Sequence, residues 1–407
     1  MPMPLSWIEV NQSAIRSNLQ QFQKLLPKDT QLMAVVKGEA YGHGMLPTAQ
    51  VALEASASWL GVFHLGEAIA LRERGISVPI LVLGYVPRAD LEEAIQHEIR
   101  ITVSSQETVE EAARVVKRTG RTAFLHMKLE TGTHRLGLEG AELEAALDRF
   151  EGCPALCLEG AHTHYANIED TTEHDYAKEQ IERFTQLLTL LRKRGHAVPR
   201  PHTACTAAAI LFPETYFAMV RVGIGLYGMW PSKETYLSAL QQGKVRLALR
   251  PAMTWKTQVI QVKRVPKGVY VGYGCTYRTT RETRLAILPV GYANGYDRLF
   301  SNRGHVLIRG VRAPIRGRVC MNLTMVDVSD IPEVALEDEV VLLGGQGEEQ
   351  ISAEQLASWA QTINYEIVTR AEPHNPRVLV ERDEPGDFLC WTQTNAERNP
   401  RSEPCQS

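Results

Sequence analysis

Between residues 12 and about 230, short apolar runs alternate with longer stretches in which apolar positions recur at helical spacing. After an opening helical pattern over 12–24, the apolar runs fall at 32–36, 59–63, 80–83, 101–104, 123–129, 156–164, 202–205 and 219–226. A continuous apolar run bounded by turn residues reads as a strand buried on both faces. Helical patterns separate the runs, among them 65–74, 89–97, 107–118, 141–150 and the long, charged 173–194. Eight strands each separated by a helix imply parallel pairing, and eight such units close into a (β/α)8 barrel over residues 11–240. An open doubly wound sheet is the alternative, but no Gly-x-Gly-x-x-Gly follows the first run, and polar signatures follow too many of the others.

Near residue 240 the pattern changes to short, alternating runs rich in Val, Ile and Thr, broken by closely spaced Gly and Pro. These runs, at 250–262, 269–273, 284–292, 305–308, 313–319, 324–328 and 340–343, predict a mainly antiparallel β domain over 241–382. One helix at 353–363 follows Ser352 as N-cap, and a last extended piece lies at 377–381. The run at 6–10 comes too early for the barrel count, so residues 1–10 are expected to join the β domain. Residues 383–407 are rich in Pro, Asn, Glu and Ser and are expected to be a disordered tail.

A chain of 407 residues is long enough for two such domains. Its net charge of −3 gives no basis for a nucleic-acid or anionic-membrane partner. No apolar run reaches bilayer length, and the start lacks the basic and apolar regions of a signal peptide, so a soluble, cytoplasmic protein is expected. Seven cysteines, odd in number and without a Cys-x-x-Cys pair, are expected to be free thiols in a reducing compartment.

Barrel enzymes collect functional residues at the carboxyl ends of their strands. The first run ends on Lys37 and opens into a glycine-rich loop containing Tyr41, Gly42 and Gly44. A lysine there has its stem in protein, and desolvation favours the neutral amine that attacks carbonyls; the bland alternative is a snorkelling charge. Gly42 and Gly44 are expected to let the backbone approach a ligand. The fifth run leads into Lys128 and Arg135, the sixth ends in His162 and His164, the seventh in Cys205 and Thr206, and the eighth in Arg221, Gly223 and Ile224. Singly, Arg135 reads as a surface charge and His164 as a core histidine. His162-x-His164 has the spacing of metal ligands on a strand, but no further ligand cluster accompanies it, so no metal is expected. Gly223 and Ile224 can offer backbone N–H groups to a phosphate.

Residues 37–44 resemble the pyridoxal 5'-phosphate (PLP) site of the alanine racemase family, usually Lys-Ala-Asn-Ala-Tyr-Gly-His-Gly, and the resemblance extends to about residue 380. It implies an isomerase in which Lys37 carries PLP, Tyr41, Thr206, Gly223, Ile224 and Tyr365 hold the phosphate, and Arg221, hydrogen-bonded to His164, faces the pyridine nitrogen. By the same resemblance Arg135 reaches the cofactor's phenolic oxygen and the substrate carboxylate, and Lys128 is the lysine often carbamylated. Val271-Gly272-Tyr273-Gly274, Gly291-Tyr292-Ala293-Asn294-Gly295 and Cys320-Met321-Asn322 resemble the family's second-domain motifs. They make Tyr273 the second catalytic base, Tyr292 with Tyr365 the entrance, and the Met321 N–H a substrate ligand, reaching the site of the other subunit in a homodimer. Departures include Glu39 for Asn or Asp, Cys205-Thr206 for Asn-Ser, Val222 for Pro, Asn322 for Asp and a stretched 370–377 segment.

The chemistry agrees with that set. Moving a proton from one face of Cα to the other needs two acid/base groups, and ordinary lysine and tyrosine both titrate near about 10, so each must be poised by neighbours. An arginine stays charged and cannot accept the proton of a pyridinium, which disfavours transamination. With the resemblance, the reading is racemisation of a small amino acid, and the family implies L- and D-alanine, to supply D-alanine for peptidoglycan. A serine or broader-specificity racemase, a non-catalytic PLP carrier and a barrel-type PLP decarboxylase are the alternatives; a carrier has no need of Tyr273.

Overall fold

The computed structural model describes residues 4–243, 247–371 and 375–382. A first strand, β1 (Ser6–Asn11), leads into a helix, Gln12–Leu25, whose N-cap Asn11 accepts the Ala14 N–H. Eight parallel strands come next: β2 (Gln31–Val35), β3 (Trp59–Val62), β4 (Ile80–Val82), β5 (Arg100–Val103), β6 (Ala123–Lys128), β7 (Leu156–His162), β8 (Arg200–His202) and β9 (Met219–Val222). Neighbours pair in sequence order from β2 to β8, and β9 pairs with β2. Across the seam between β8 and β9, Ala218 N–H donates to the Pro201 carbonyl (3.1 Å) and Arg221 N–H to the Ala204 carbonyl (3.0 Å), so the barrel is nearly closed.

Amphipathic helices cover the outside. Gln106–Thr119 shows how the sequence specifies one: Ser105 caps the Thr108 N–H, Val109, Ala112, Val115 and Val116 form the buried stripe, and Gly120 ends it at φ 69°. Losing the Ser105 cap would cost about 1 kcal/mol. Inside the barrel, Met33, Trp59, Leu81 and Met219 pack together. Beside them the buried rings of His126, His162 and His202 take places that branched aliphatics normally fill.

The remaining strands are β10 (Met253–Gln258), β11 (Gln261–Val265), β12 (Tyr270–Val271), β13 (Tyr277–Arg278), β14 (Thr283–Leu288), β15 (His305–Ile308), β16 (Val311–Pro314), β17 (Thr324–Asp327), β18 (Glu339–Gln346), β19 (Glu349–Ile351) and β20 (Arg377–Val380). One sheet runs β16-β15-β18-β10-β1-β20, with β19 on β18; β11-β14-β17 and β12-β13 form two smaller ones. β1 pairs antiparallel with β10, from Ser6 opposite Thr257 to Val10 opposite Met253, and parallel with β20.

Several local expectations change. The run 250–262 divides into β10 and β11, which belong to different sheets, because Val259 and Ile260 turn to donate to Asp338 and Ile287 carbonyls. The seventh barrel strand ends at His202 rather than Cys205, since Cys205 turns out as N-cap of a helix, Thr206–Leu211, buried on all sides. The helix expected over 353–363 stops at Ala360, where Gln361 turns left-handed at φ 55°, and a second helix, Asn364–Thr369, comes after it. Cys153, Cys157, Cys205, Cys275 and Cys320 are free. Cys390, Cys405 and the tail expected to be disordered lie outside the described residues, as does 372–374 of the stretched segment. Among the described residues no helix is long and apolar enough to cross a membrane.

Candidate active site

Lys37 is the second residue after β2, and the chain beyond it forms no open loop. Gly38, Glu39, Ala40 and Tyr41 all take left-handed conformations, with φ of 59°, 53°, 54° and 54°. For a residue with a β-carbon this costs roughly 1–2 kcal/mol, so the surroundings must enforce it. Glu67 does so from the next unit, its carboxylate accepting the Gly38 N–H (2.7 Å) and the Phe63 N–H (2.7 Å). Glu39, where the family usually has Asn or Asp, accepts the Met45 N–H (3.3 Å) and so caps the helix Met45–Glu54. Gly42 serves the protein and not a ligand: a β-carbon there would lie 2.1 Å from the Val368 carbonyl oxygen, and Arg377 donates to the Gly42 carbonyl. His43 fixes the turn by bonding the Ala40 and Tyr41 carbonyls through Nδ1 (3.1 and 3.0 Å), and burial lowers its pKa to about 4, keeping it neutral.

The Lys37 amine is pushed below its ordinary value by burial first, then by the Arg135 charge, with Arg221 adding to the effect and Glu67 and Glu169 opposing it. Lys128, at the end of β6, is driven further down by burial, Arg221 and Arg135. His164 is depressed by burial and by Lys128 and Arg221. Lys37 follows β2, Lys128 ends β6, His164 follows β7 and Arg221 lies in β9, and the charges of Lys128, Arg135 and Arg221 act on their neighbours there, so the carboxyl end of the barrel is an electropositive mouth.

Beside that mouth an anion cradle forms where two short helices begin. Thr206 opens one and Ile224 the other, Ile224–Tyr227, and Gly223 N–H donates to Thr206 Oγ1 at 3.1 Å. The Tyr41 hydroxyl lies so close that a β-carbon on Gly223 would meet it at 2.5 Å. Tyr365 closes the group, its ring 6.1 Å from that of Tyr41. Hydroxyls and helix-start N–H groups next to cations are the donor set a phosphate needs, and the desolvated Lys37 amine suits an aldehyde. The residues present therefore fit PLP.

One implied contact is corrected. Arg221 bonds the His202 ring and not that of His164: Nη1 meets His202 Nδ1 at 2.6 Å and the His202 carbonyl at 3.0 Å, while Nη2 donates to the Thr163 and Thr203 carbonyls (2.9 and 2.8 Å). Those bonds engage both Nη nitrogens, and Nε is left without a partner among the described residues. His162 turns into the barrel, bonded to Thr102 (3.3 Å) and stacked on His202. Among the described residues no three His, Cys, Asp or Glu side chains gather as metal ligands.

Tyr273, Tyr292 and Met321 sit on neighbouring loops of the β domain. Tyr292 N–H donates to the Cys320 carbonyl (3.0 Å), Ala293 N–H to that of Met321 (2.9 Å), and a β-carbon on Gly274 would touch the Arg318 guanidinium. Tyr273 is 74% exposed and Met321 56%, an unusual state for an aromatic and a thioether on adjacent loops. Sequence reasoning missed Glu67, His126, Glu159 and Glu169. Glu169 accepts the Tyr365 hydroxyl (3.0 Å), and burial raises its pKa against that bond.

A barrel with a desolvated lysine at its mouth, beside hydroxyls and helix-start N–H groups, is the frame of an enzyme that could hold a phosphorylated carbonyl cofactor. The family models for the N-terminal and C-terminal domains of alanine racemase match residues 10–231 and 252–379. The alanine racemase of Desulforamulus reducens is 41% identical over 378 residues, covering 92% of this chain and 98% of its own. The crystal structure of the Bacillus anthracis alanine racemase with bound L-Ala-P superposes with a TM-score of 0.87 at 37% identity, covering 94% of this chain and 97% of that one. That of the Bartonella henselae enzyme, with covalently bound pyridoxal phosphate, gives 0.80 at 26% identity, with 93% and 100% covered. The chain belongs to the alanine racemase family and is an amino-acid racemase.

Proposed function

We propose that the protein interconverts L- and D-alanine using PLP held on Lys37, with two acid/base groups acting from opposite faces of Cα: Lys37 on one and Tyr273 of the partner subunit on the other. The carrying observation is the desolvated Lys37 amine beside the cradle of Tyr41, Thr206, Gly223, Ile224 and Tyr365. When bound, the cofactor delocalises the electron pair left at Cα on proton loss.

The protein supplies position and proton transfer. The cradle anchors the phosphate, and Arg221, lowered to about 10 by burial and so still charged near neutrality, offers Nε to the ring nitrogen without accepting a proton from it. His164 would lie beside the cofactor's ring. Arg135 takes the substrate carboxylate, helped by the N–H of Met321 of the partner subunit. Lys37, its amine made easier to deprotonate by burial and the Arg135 charge, removes or returns a proton on its own face once released, and Tyr273 of the partner subunit does so on the other. Lys128, pushed well below the ordinary lysine value by burial and then by Arg221 and Arg135, is favoured toward the neutral amine that adds carbon dioxide, and its carbamate would offset the Arg135 charge. Tyr365 and Tyr292 of the partner subunit narrow the entrance, limiting the substrate to a small side chain.

A homodimer with shared sites is the matching assembly, since Tyr273 and Met321 are exposed on the single chain. Supply of cytoplasmic D-alanine for peptidoglycan is the role that fits. The test is turnover of L-alanine in deuterated water by the PLP-loaded protein, with L-serine in parallel. D-alanine carrying deuterium at Cα, formed well ahead of D-serine, is expected; no turnover with PLP bound would contradict the proposal.

A further inference from the structure

The barrel interior contains a buried polar chain that the reaction above does not use. It starts at Arg221, whose Nη1 meets His202 Nδ1 at 2.6 Å. The other nitrogen of that ring, Nε2, lies 3.0 Å from His126 Nδ1. His126 Nε2 lies 3.4 Å from Glu159 Oε2. Glu159 in turn is paired with Arg100 Nε (3.1 Å) and Arg200 Nη1 (3.3 Å). Arg100 and Arg200 begin β5 and β8, so the chain runs from the catalytic mouth to the opposite end of the barrel.

The fold is adapted to hold it. The β6–β7 register slips between Leu125 and His126, so Leu158 pairs with Leu125 and Gly160 with His126, leaving Glu159 as the extra residue of a bulge. A β-carbon on Gly160 would lie 2.3 Å from His126 Nδ1, so only glycine leaves room for the ring. His126 and His202 are fully buried, and apolar side chains would fill the space without the cost of burying polar groups.

Donor and acceptor roles along the chain allow one arrangement. Arg221 can only donate, so His202 Nδ1 must accept, which puts the His202 proton on Nε2. That proton points at His126 Nδ1, which must then accept, so His126 carries its proton on Nε2 and donates to Glu159. The geometry points to Glu159 as a positioning residue: at the far end of the barrel its carboxylate accepts the His126 Nε2 proton that the Arg221 end requires, so the two ends together hold His126 and His202 as neutral Nε2–H tautomers, and His202 keeps a lone pair on Arg221 and steadies the guanidinium that would meet the cofactor's ring nitrogen. Burial lowers both histidines, and although burial works against an ionised Glu159, its bond to His126 and the Arg100 charge hold it below the ordinary carboxylate range. A protonated Glu159 or a charged histidine would set two donors face to face at some link. The inference rests on the proposed role of Arg221, but its first test needs no turnover.

The test is nitrogen NMR of the PLP-loaded protein labelled in histidine. Both rings are expected to carry the proton on Nε2 and none on Nδ1 throughout the range in which the protein is folded and active. In the variant Glu159→Gln, where an NH2 replaces one of the two oxygens that face His126, Arg100 and Arg200, the His202 Nδ1 resonance is expected to move and kcat to fall about tenfold, roughly the worth of one hydrogen bond to a charged group, with KM little changed. An Nδ1 proton or an imidazolium on either ring in the unaltered protein overturns the inference. So does a folded Glu159→Gln protein in which either the resonance or kcat stays where it was. A variant that fails to fold leaves the decision to the unaltered protein's tautomers. A protein with both expected tautomers but no alanine turnover would sink the functional reading alone.

Discussion

The Tyr41 hydroxyl sits against the α-carbon of Gly223, so close that a β-carbon there would lie 2.5 Å from the oxygen. The contact brings a hydroxyl from the first barrel unit to backbone N–H groups from the last, and neither makes a phosphate site alone. Gly223→Ala should push Tyr41 out of the cradle and weaken PLP binding by about ten- to a hundredfold, the worth of one hydrogen bond to a charged group. Titration of the apoprotein with PLP reads this directly. Unchanged affinity with the fold intact would place the phosphate elsewhere.

The lowered Lys37 pKa, caused by burial and then by Arg135, makes two expectations. The rate at which apoprotein captures PLP should climb with pH and level off below 10.5, the ordinary lysine value. Between the folded value and 10.5 the unfolded chain binds a proton that the folded one does not, so stability rises with pH there and is lost as pH falls through the folded value. Replacing the amine, as in Lys37→Met, should therefore raise the apoprotein's Tm near neutrality and abolish the near-visible absorbance of covalently held cofactor. Calorimetry and a spectrum check both.

Glu169 is raised by burial despite its bond from Tyr365. Here the folded chain holds the proton more tightly, so the stability contributed is full below 4.5 and lost as pH rises through the folded value. The variant Glu169→Gln cannot ionise. Its apoprotein should gain Tm relative to the unaltered protein as pH rises above that window, and thermal melts across the acid range would show a constant difference if the carboxyl were not perturbed.

The barrel was legible because strands buried on both faces write continuous apolar runs, and Lys37 because it ends one of them. The short helix Thr206–Leu211 was not, since a helix buried on every side has no polar face to give it a period. The left-handed turn after Lys37 is imposed by Glu67 and the Val368 carbonyl, contacts distant in sequence. The partner of Arg221 was misassigned from resemblance, because His164 and His202 both lie at the ends of barrel strands and only the closed barrel shows which ring faces the guanidinium. Tyr273 and Met321 carry no local signal; resemblance alone singled them out, and their exposure gives them a physical reason.

The central claim is a site made by two subunits, with Lys37 from one and Tyr273 from the other. The direct measurement is complementation between Lys37→Ala and Tyr273→Phe, each nearly inactive alone, after dissociation, mixing and reassociation in the presence of PLP. In a symmetric dimer with random exchange, half the dimers are mixed and each regains one intact site, so about a quarter of the unaltered activity should return. A mixture that stays as inactive as its components, with exchange verified by mass, would contradict the shared site.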